Sequence, residues 1–155
     1  MKKLLCFILA AALVFCFASC GSKEKERVRP ETDISENTLK NSRTVAENFI
    51  GSTFKDITDF EIIGEKILLK LDDDLPYGVV YSFSYGENEE GFVIVKFDKH
   101  SPFVPYASLD PSPYNDAPEN SYLYYEEPYG IYYQLEDSFT FNSLHEKAAS
   151  FTKEH

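Results

Sequence analysis

Apolar residues first form one unbroken run along this chain and then recur with helical spacing. Residues 4–17 are all apolar, a length that is typical of a secretory signal and too short to cross a bilayer comfortably. Further along, Thr44 and Glu47 match a capping box, which predicts a helix N-terminus at Thr44. The apolar side of this predicted helix is formed by Val45, Phe49, Ile50 and Phe54.

After Phe60 the apolar period changes to two, which indicates β-strands with one buried face. A polar turn over residues 86–91 separates two of these strands and predicts a hairpin. Pro102 and Pro105 predict that the stretch beside them is either a strand at a sheet edge or irregular structure, because proline lacks the N–H that a central strand needs. The strands predicted in this part of the chain are 67–71, 77–85, 92–97 and 103–109.

The C-terminal part is predicted to contain a loop, two more strands and a helix. Prolines and asparagines argue against continuous secondary structure over residues 110–121. Strands are predicted at 129–135 and 138–142, and Ser143 with Glu146 caps a short C-terminal helix. The predicted fold class is therefore α+β, a small antiparallel β-sheet with an N-terminal helix packed on it and a short C-terminal helix.

The first twenty residues have the pattern of a targeting signal. Lys2 and Lys3 precede the apolar run, and Phe17, Ala18, Ser19 and Cys20 close it. This ending resembles the lipobox of bacterial lipoproteins, in which the cysteine is acylated before cleavage. An ordinary cleavage site with an incidental cysteine is the alternative, but the abrupt change to polar residues after Cys20 favours lipidation.

The predicted domain boundaries follow from this targeting signal. Residues 1–19 are predicted to be a signal peptide, and residues 20–40 a lipidated, flexible tether, because they are polar, charged and interrupted by Pro30. A flexible chain of about 20 residues has a reach of roughly 25 Å. Residues 41–155 are predicted to form a single α+β domain. The expected location is the extracytoplasmic face of the cell membrane, with Cys20 as the lipid anchor.

Cysteine usage and charge exclude several function classes. The three cysteines, Cys6, Cys16 and Cys20, lie in the signal or at the anchor, so the mature domain has neither a disulfide nor a catalytic thiol. Without Lys2 and Lys3 the chain has 13 basic and 26 acidic residues, a net charge of 13 − 26 = −13. Nucleic acid is therefore excluded as a partner. The acidity provides solubility and self-repulsion, or it matches a basic partner surface.

No pattern of catalytic or metal-binding residues stands out. The sequence has no convincing nucleophile elbow, phosphate-binding glycine loop or carboxylate pair, so no enzyme and no cofactor is predicted. Residues 72–74 are aspartates, but they lack the alternating ligands of a calcium loop and indicate a solvated turn. His100, His145 and His155 are far apart in sequence, so no metal site is predicted.

Tyrosine is concentrated in one part of the chain. Eight of the eleven tyrosines fall within residues 106–133, interleaved with prolines. Such rings suit a peptide or glycan contact surface, or else they are core residues whose hydroxyls reach the surface. Tyr114, Tyr122 and Tyr125 are predicted to be the exposed, partner-binding residues, because they lie in the predicted loop region.

Part of the mature chain is similar to a known inhibitory module. The residues concerned are Gly91, Phe92, Val93, Ile94, Val95, Asp98, Lys99, Pro102, Tyr106, Ala107 and Ser108. They resemble a strand and turn of the inhibitory propeptide domain of streptopain-like cysteine proteases. The resemblance implies a module that packs against a papain-like protease and obstructs its cleft.

Together these patterns predict a membrane-anchored lipoprotein of the cell envelope that is a non-enzymatic protein-binding module, with propeptide-like protease inhibition as one role. The alternative is an envelope lipoprotein that binds glycan or peptide, or that has a structural role.

Overall fold

The fold is taken from a computed structural model that describes residues 30, 32–128, 130–144 and 151–152. The described residues form one long helix, one short 3-10 helix and eight strands. In chain order they are α1 (Glu36–Thr53), β1 (Phe60–Lys70), β2 (Pro76–Tyr85), β3 (Glu89–Lys96), β4 (Phe103–Ser108), the 3-10 helix (Pro113–Asp116), β5 (Ser121–Glu126), β6 (Gly130–Leu135), β7 (Thr140–Ser143) and β8 (Phe151–Thr152).

Helix α1 begins earlier than the sequence predicts. Its N-cap is Ser35, whose Oγ accepts a hydrogen bond from the backbone N–H of Thr38 at 3.2 Å. Thr44, the predicted cap, lies inside the helix and donates its hydroxyl to the carbonyl of Lys40. Residues 36–40, which the sequence assigned to the tether, are therefore helical. Serine and threonine are both common N-cap residues, so only the backbone conformation shows whether Ser35 or Thr44 caps the helix.

The strands form one mixed sheet with the order β4-β3-β2-β1-β5-β6-β7-β8. The pair β1–β5 is parallel and the other neighbouring pairs are antiparallel. The α+β class and the packing of α1 on the sheet are confirmed, but the prediction of a small, antiparallel sheet is wrong. Strand β5 was missed because its residues follow the proline-rich segment without a break.

The predicted hairpin and edge strand are confirmed. β2 and β3 pair antiparallel over eight residue pairs, from Gly78–Lys96 to Tyr85–Glu89. Their turn uses positive φ angles at Gly86 (58°) and Asn88 (67°), the left-handed conformation that these two residue types tolerate best. Strand β4 pairs with β3 and occupies one end of the sheet order.

The predicted C-terminal helix is not seen, and residues 145–150 lie outside the described residues. Ser143, its predicted cap, ends strand β7. Phe151, predicted to be on its apolar face, begins strand β8 instead.

The hydrophobic core has clusters on both faces of the sheet. One cluster lies under α1 and contains Ala46, Ile50, Val79, Tyr81, Phe83, Val93 and Val95. A second contains Leu68, Val80, Phe92, Ile94, Tyr114, Leu123 and Ile131. Because Val79 and Tyr81 alternate with Val80 along β2, the two clusters lie on opposite faces of that strand. Both faces of the central hairpin are thus covered, whereas the alternation along β2 predicts a single buried face.

Candidate functional site

A groove opens where strands β1 and β5 separate. The two strands pair only at Leu69–Tyr124 and Lys70–Tyr125, near the C-terminal end of each strand. Towards their N-terminal ends they leave a groove of about 560 Å³ between them. The groove is lined by Thr32, Lys66, Ile67, Leu69, Asn115, Ala117, Pro118, Glu119, Ser121, Tyr122 and Leu123.

The segment that follows the 3-10 helix forms one wall of the groove and is held there by Lys66. The Nζ of Lys66 donates a hydrogen bond to the carbonyl oxygen of Tyr114 at 2.7 Å. Tyr114 is fully buried, and its hydroxyl donates to the carbonyl of Tyr124 at 2.8 Å. The groove therefore has a fixed wall, because a buried phenol holds the segment against β5 from within.

The wall of the groove includes a residue with an unsatisfied polar atom, Ser121. The Oγ of Ser121 is buried and has no hydrogen-bond partner among the described residues. A buried hydroxyl without a partner costs about 1–3 kcal/mol, so a ligand or water that bonds to it would recover that free energy. Ile67 and Tyr122 lie half-buried beside it and provide apolar surface.

Beside the groove, β1 has an open edge, which we define as residues 60–68 on the side away from β2. On its other side β1 pairs with β2 from Phe60 to Leu69. Within the described part of the chain, no strand pairs with the open edge. The backbone N–H and C=O groups that point away from β2 along residues 60–68 therefore have no strand partner among the described residues, and an added strand would form hydrogen bonds with them.

A second group of titratable residues lies at the end of the sheet where β2 begins. Glu127 Oε1 accepts hydrogen bonds from Lys96 Nζ at 2.6 Å and from the hydroxyl of Tyr77 at 2.8 Å. These two bonds lower the pKa of Glu127. Burial, with the bond to Glu127, raises the pKa of Tyr77. Because the carboxylate is already ionised and bonded twice, the group acts as a contact that ties the turn after β5 to β2 and β3.

The three predicted partner-binding tyrosines do not form a common exposed surface. Tyr114 is 0 % exposed and Tyr125 is 3 % exposed. Tyr125 donates its hydroxyl to the carbonyl of Pro128 at 2.8 Å. Only Tyr122 is half-buried and lines the groove. The expectation that Tyr114 and Tyr125 are exposed is therefore wrong, because Tyr125 lies in strand β5 and Tyr114 is a buried residue of the 3-10 helix.

The remaining candidates from the sequence are the aspartates of residues 72–74, a metal site and the anchor Cys20. Asp73 lies in the turn between β1 and β2, where its Oδ1 accepts from the N–H of Leu75 and its Oδ2 lies 3.6 Å from Lys70 Nζ. Among the described residues no group of three or more metal-binding side chains comes together. No helix in the described part of the chain has the length and apolar character that a membrane crossing requires. Cys20 lies outside the described residues.

The sequence indicated Tyr122 but not the rest of the groove. Lys66 and Ile67 were assigned only to an alternating strand, and Ser121 to a loop boundary. No local pattern reveals which two strands lie side by side when they are separated by about 50 residues of chain.

Comparison with known proteins adds no relative: no family model, no curated protein and no solved structure matches this chain.

Proposed function

We propose that this chain is a membrane-anchored, extracytoplasmic lipoprotein and that its α+β domain is a non-enzymatic module that binds a protein partner. The observation that carries the binding role is the groove between β1 and β5, with the open edge of β1 beside it. A groove with half-buried apolar side chains and unpaired backbone groups suits an extended polypeptide.

The anchor is supported by the N-terminal residues. Lys2 and Lys3, the apolar run and the small residues before Cys20 have the order of a lipoprotein signal. The only other cysteines, Cys6 and Cys16, lie within that signal. A lipid-modified Cys20 would hold the domain at the membrane surface by burying its acyl chains.

The position of Thr32 relates the groove to this anchor. Thr32 lines the groove and follows Cys20 by twelve residues. A chain of that length spans at most about 43 Å, whatever its conformation. A partner in the groove would therefore be held within reach of the membrane surface.

The chemistry of the groove favours binding over catalysis. Its charged residues are Lys66 and Glu119. Lys66 Nζ is engaged by the Tyr114 carbonyl, and Glu119 is exposed on the segment after the 3-10 helix. A catalytic site needs titratable groups that converge on one reacting atom with perturbed pKa values, and these two residues provide no such pair.

A papain-like protease is the first partner class to test, because of the resemblance of residues 91–108 to a protease propeptide. In the fold these residues belong to β3 and β4, which pair antiparallel at Phe92–Ser108 and Val93–Ala107. Phe92 and Val93 are buried, so the resemblance concerns the core of the module and not its contact surface. A glycan ligand has weaker support, because the chain has no tryptophan and two of the three candidate tyrosines are buried.

The anchor is tested by metabolic labelling of the full chain, expressed in a bacterium, with a palmitate analogue. We expect the label in the membrane fraction for the natural chain and for the control Cys16→Ser, and its loss with Cys20→Ser. Binding is tested by titrating the released domain against a papain-like protease, with saturable inhibition by intact module as the expected result. Label that remains on Cys20→Ser would overturn the anchor, and full protease activity at saturating module would exclude this partner class.

A further inference from the structure

We infer that the open edge of β1 accepts an extended, positively charged segment of the partner as an additional β-strand. This inference depends on the proposed binding function and names the mode of binding and the class of segment. It places the segment along residues 60–68, with its side chains reaching into the groove beside Ile67 and Tyr122.

The backbone of β1 is suited to strand addition. The nine edge residues that pair with no strand of the described chain extend for about 30 Å. The edge contains no proline, whereas the outer strand β4 carries Pro105, which lacks a donor. Proteins usually block an exposed edge with proline, a short strand, a bulge, charged side chains or a covering element. β1 has a bulge and acidic side chains but is long and lacks proline, so the edge remains a candidate docking template for a segment of opposite charge.

The side chains beside this edge are suited to an alternating peptide. Ile63 is 50 % exposed and lies where the β1–β2 register shifts, so β1 carries a bulge there. Ile67 and Tyr122 lie half-buried in the groove beyond it. In an added strand every second side chain points to the same face, so apolar residues at alternate positions could contact these groups while the others remain in solvent.

Charge selects a basic segment. Residues 36–144 contain seven basic and twenty acidic side chains, a net charge of 7 − 20 = −13. Glu61 and Glu65 are exposed on the open edge, and Glu119 lines the groove. Lys66 is engaged by the Tyr114 carbonyl, and Arg43 bonds to Glu47 at 3.1 Å and lies 3.9 Å from Glu65 Oε2, so the selection of a basic segment depends mainly on Glu61 and Glu119.

The same charge argues against pairing between two copies of this chain. Two domains with a net charge of −13 each would bring Glu61 and Glu65 of both copies towards one another. Like charges on opposed strands are destabilising, and at low ionic strength their repulsion acts over about 10 Å or more. A cationic segment removes this repulsion and replaces it with attraction, so we assign the edge to a basic partner.

The test uses residues 20–155 with Cys20→Ser and a synthetic octapeptide that alternates lysine and valine. Calorimetry gives the Kd, and amide hydrogen exchange shows which backbone groups the peptide protects. One control peptide has alternate backbone amides methylated, which keeps its charge but removes the donors of one edge. A second control replaces lysine by glutamate. We expect binding by the first peptide only, with new protection confined to residues 60–68.

Matched charge reversals locate the site. Glu61→Lys with Glu119→Lys should weaken binding about tenfold, because two favourable surface interactions become repulsive. Glu87→Lys with Glu89→Lys makes the same change of net charge at the exposed β2–β3 turn. For this control pair we expect a change below about twofold, since the turn is not part of the groove.

Four results would overturn the inference: no binding of the lysine–valine peptide, equal binding of the methylated peptide, protection on other strands, or equal loss with both variant pairs. Sedimentation that shows a dimer with protected residues 60–68 would assign the edge to a second copy instead. The palmitate experiment is independent of these results. Labelled Cys20 without peptide binding would leave the anchor intact and remove only the strand addition, whereas peptide binding without label would do the reverse.

Discussion

At the scale of single residues, the tyrosines of this domain are placed by the acceptors that their hydroxyls reach. Tyr114 and Tyr125 are buried and donate to backbone carbonyls. Tyr81 is also buried, and its hydroxyl lies 2.6 Å from Ser42 Oγ on α1. A phenol buries a large apolar ring at little cost when its hydroxyl is bonded, so tyrosine serves here as a core residue.

Truncation of Tyr114 should therefore affect stability strongly. Tyr114→Ala is expected to lower the free energy of unfolding by about 3–5 kcal/mol, because it removes a fully buried ring that joins the 3-10 helix to β5. Tyr114→Phe should cost about 1–2 kcal/mol, the loss of one buried hydrogen bond. Tyr122→Ala is the matched control and should cost less than Tyr114→Ala. Chemical denaturation measures all three, and equal losses for Tyr114→Ala and Tyr122→Ala would contradict the burial of Tyr114.

At the scale of elements, sequence patterns predicted the positions of the strands along the chain better than the pairing of the strands in the sheet. The β2–β3 hairpin was predictable because its turn is short and both strands are strongly apolar. The start of α1 was misplaced because Ser35 and Thr44 are both acceptable caps. Strand β5 was missed because its alternating residues continue from a proline-rich segment. Of the groove residues only Tyr122 is a candidate contact from the sequence, since the position of the others depends on the pairing of β1 with β5.

The two candidate caps of α1 make a direct comparison. Ser35→Ala should lower the free energy of unfolding by about 1 kcal/mol, because the N–H of Thr38 loses its side-chain acceptor. Thr44→Ala should leave it unchanged or raise it by up to about 0.5 kcal/mol, because alanine has the higher helix propensity at an exposed interior position. Thermal or chemical unfolding of the two variants checks this. A larger loss of unfolding free energy with Thr44→Ala than with Ser35→Ala would indicate that the helix begins at residue 44.

At the scale of the whole molecule, one sheet supports two differently covered faces, and β1 has an open edge within the sheet order. Helix α1 covers one side of β2 and β3, and the Tyr114 segment covers the other. The short parallel contact between β1 and β5 leaves the groove open at the opposite end of these strands. Residues 36–144 carry most of the acidic charge, so the domain repels copies of itself while it attracts basic segments.

Burial of tyrosine also fixes the alkaline stability of the domain. Burial raises the pKa of Tyr77, Tyr81 and Tyr114 above the ordinary value of 10.0. Their contribution to stability is therefore fully present below pH 10 and is lost as the pH rises towards the folded-state pKa values, because the unfolded chain ionises first. Tyrosinate absorbance should show that these three tyrosines ionise only when the domain unfolds. Ionisation of all three near pH 10, with the fold intact, would contradict this.

The sequence by itself determined the features that are local. The N-terminal apolar run, the helix as an element, the β2–β3 hairpin and the acidity all follow from residues that are neighbours in the chain. Only the tertiary structure decided which residues meet across long separations. Lys66 reaches the carbonyl of Tyr114, 48 positions away, and β1 meets β5 at Leu69 and Tyr124. These contacts depend on the register and order of strands, which arise when the whole sheet minimises its exposed apolar surface and unpaired backbone groups.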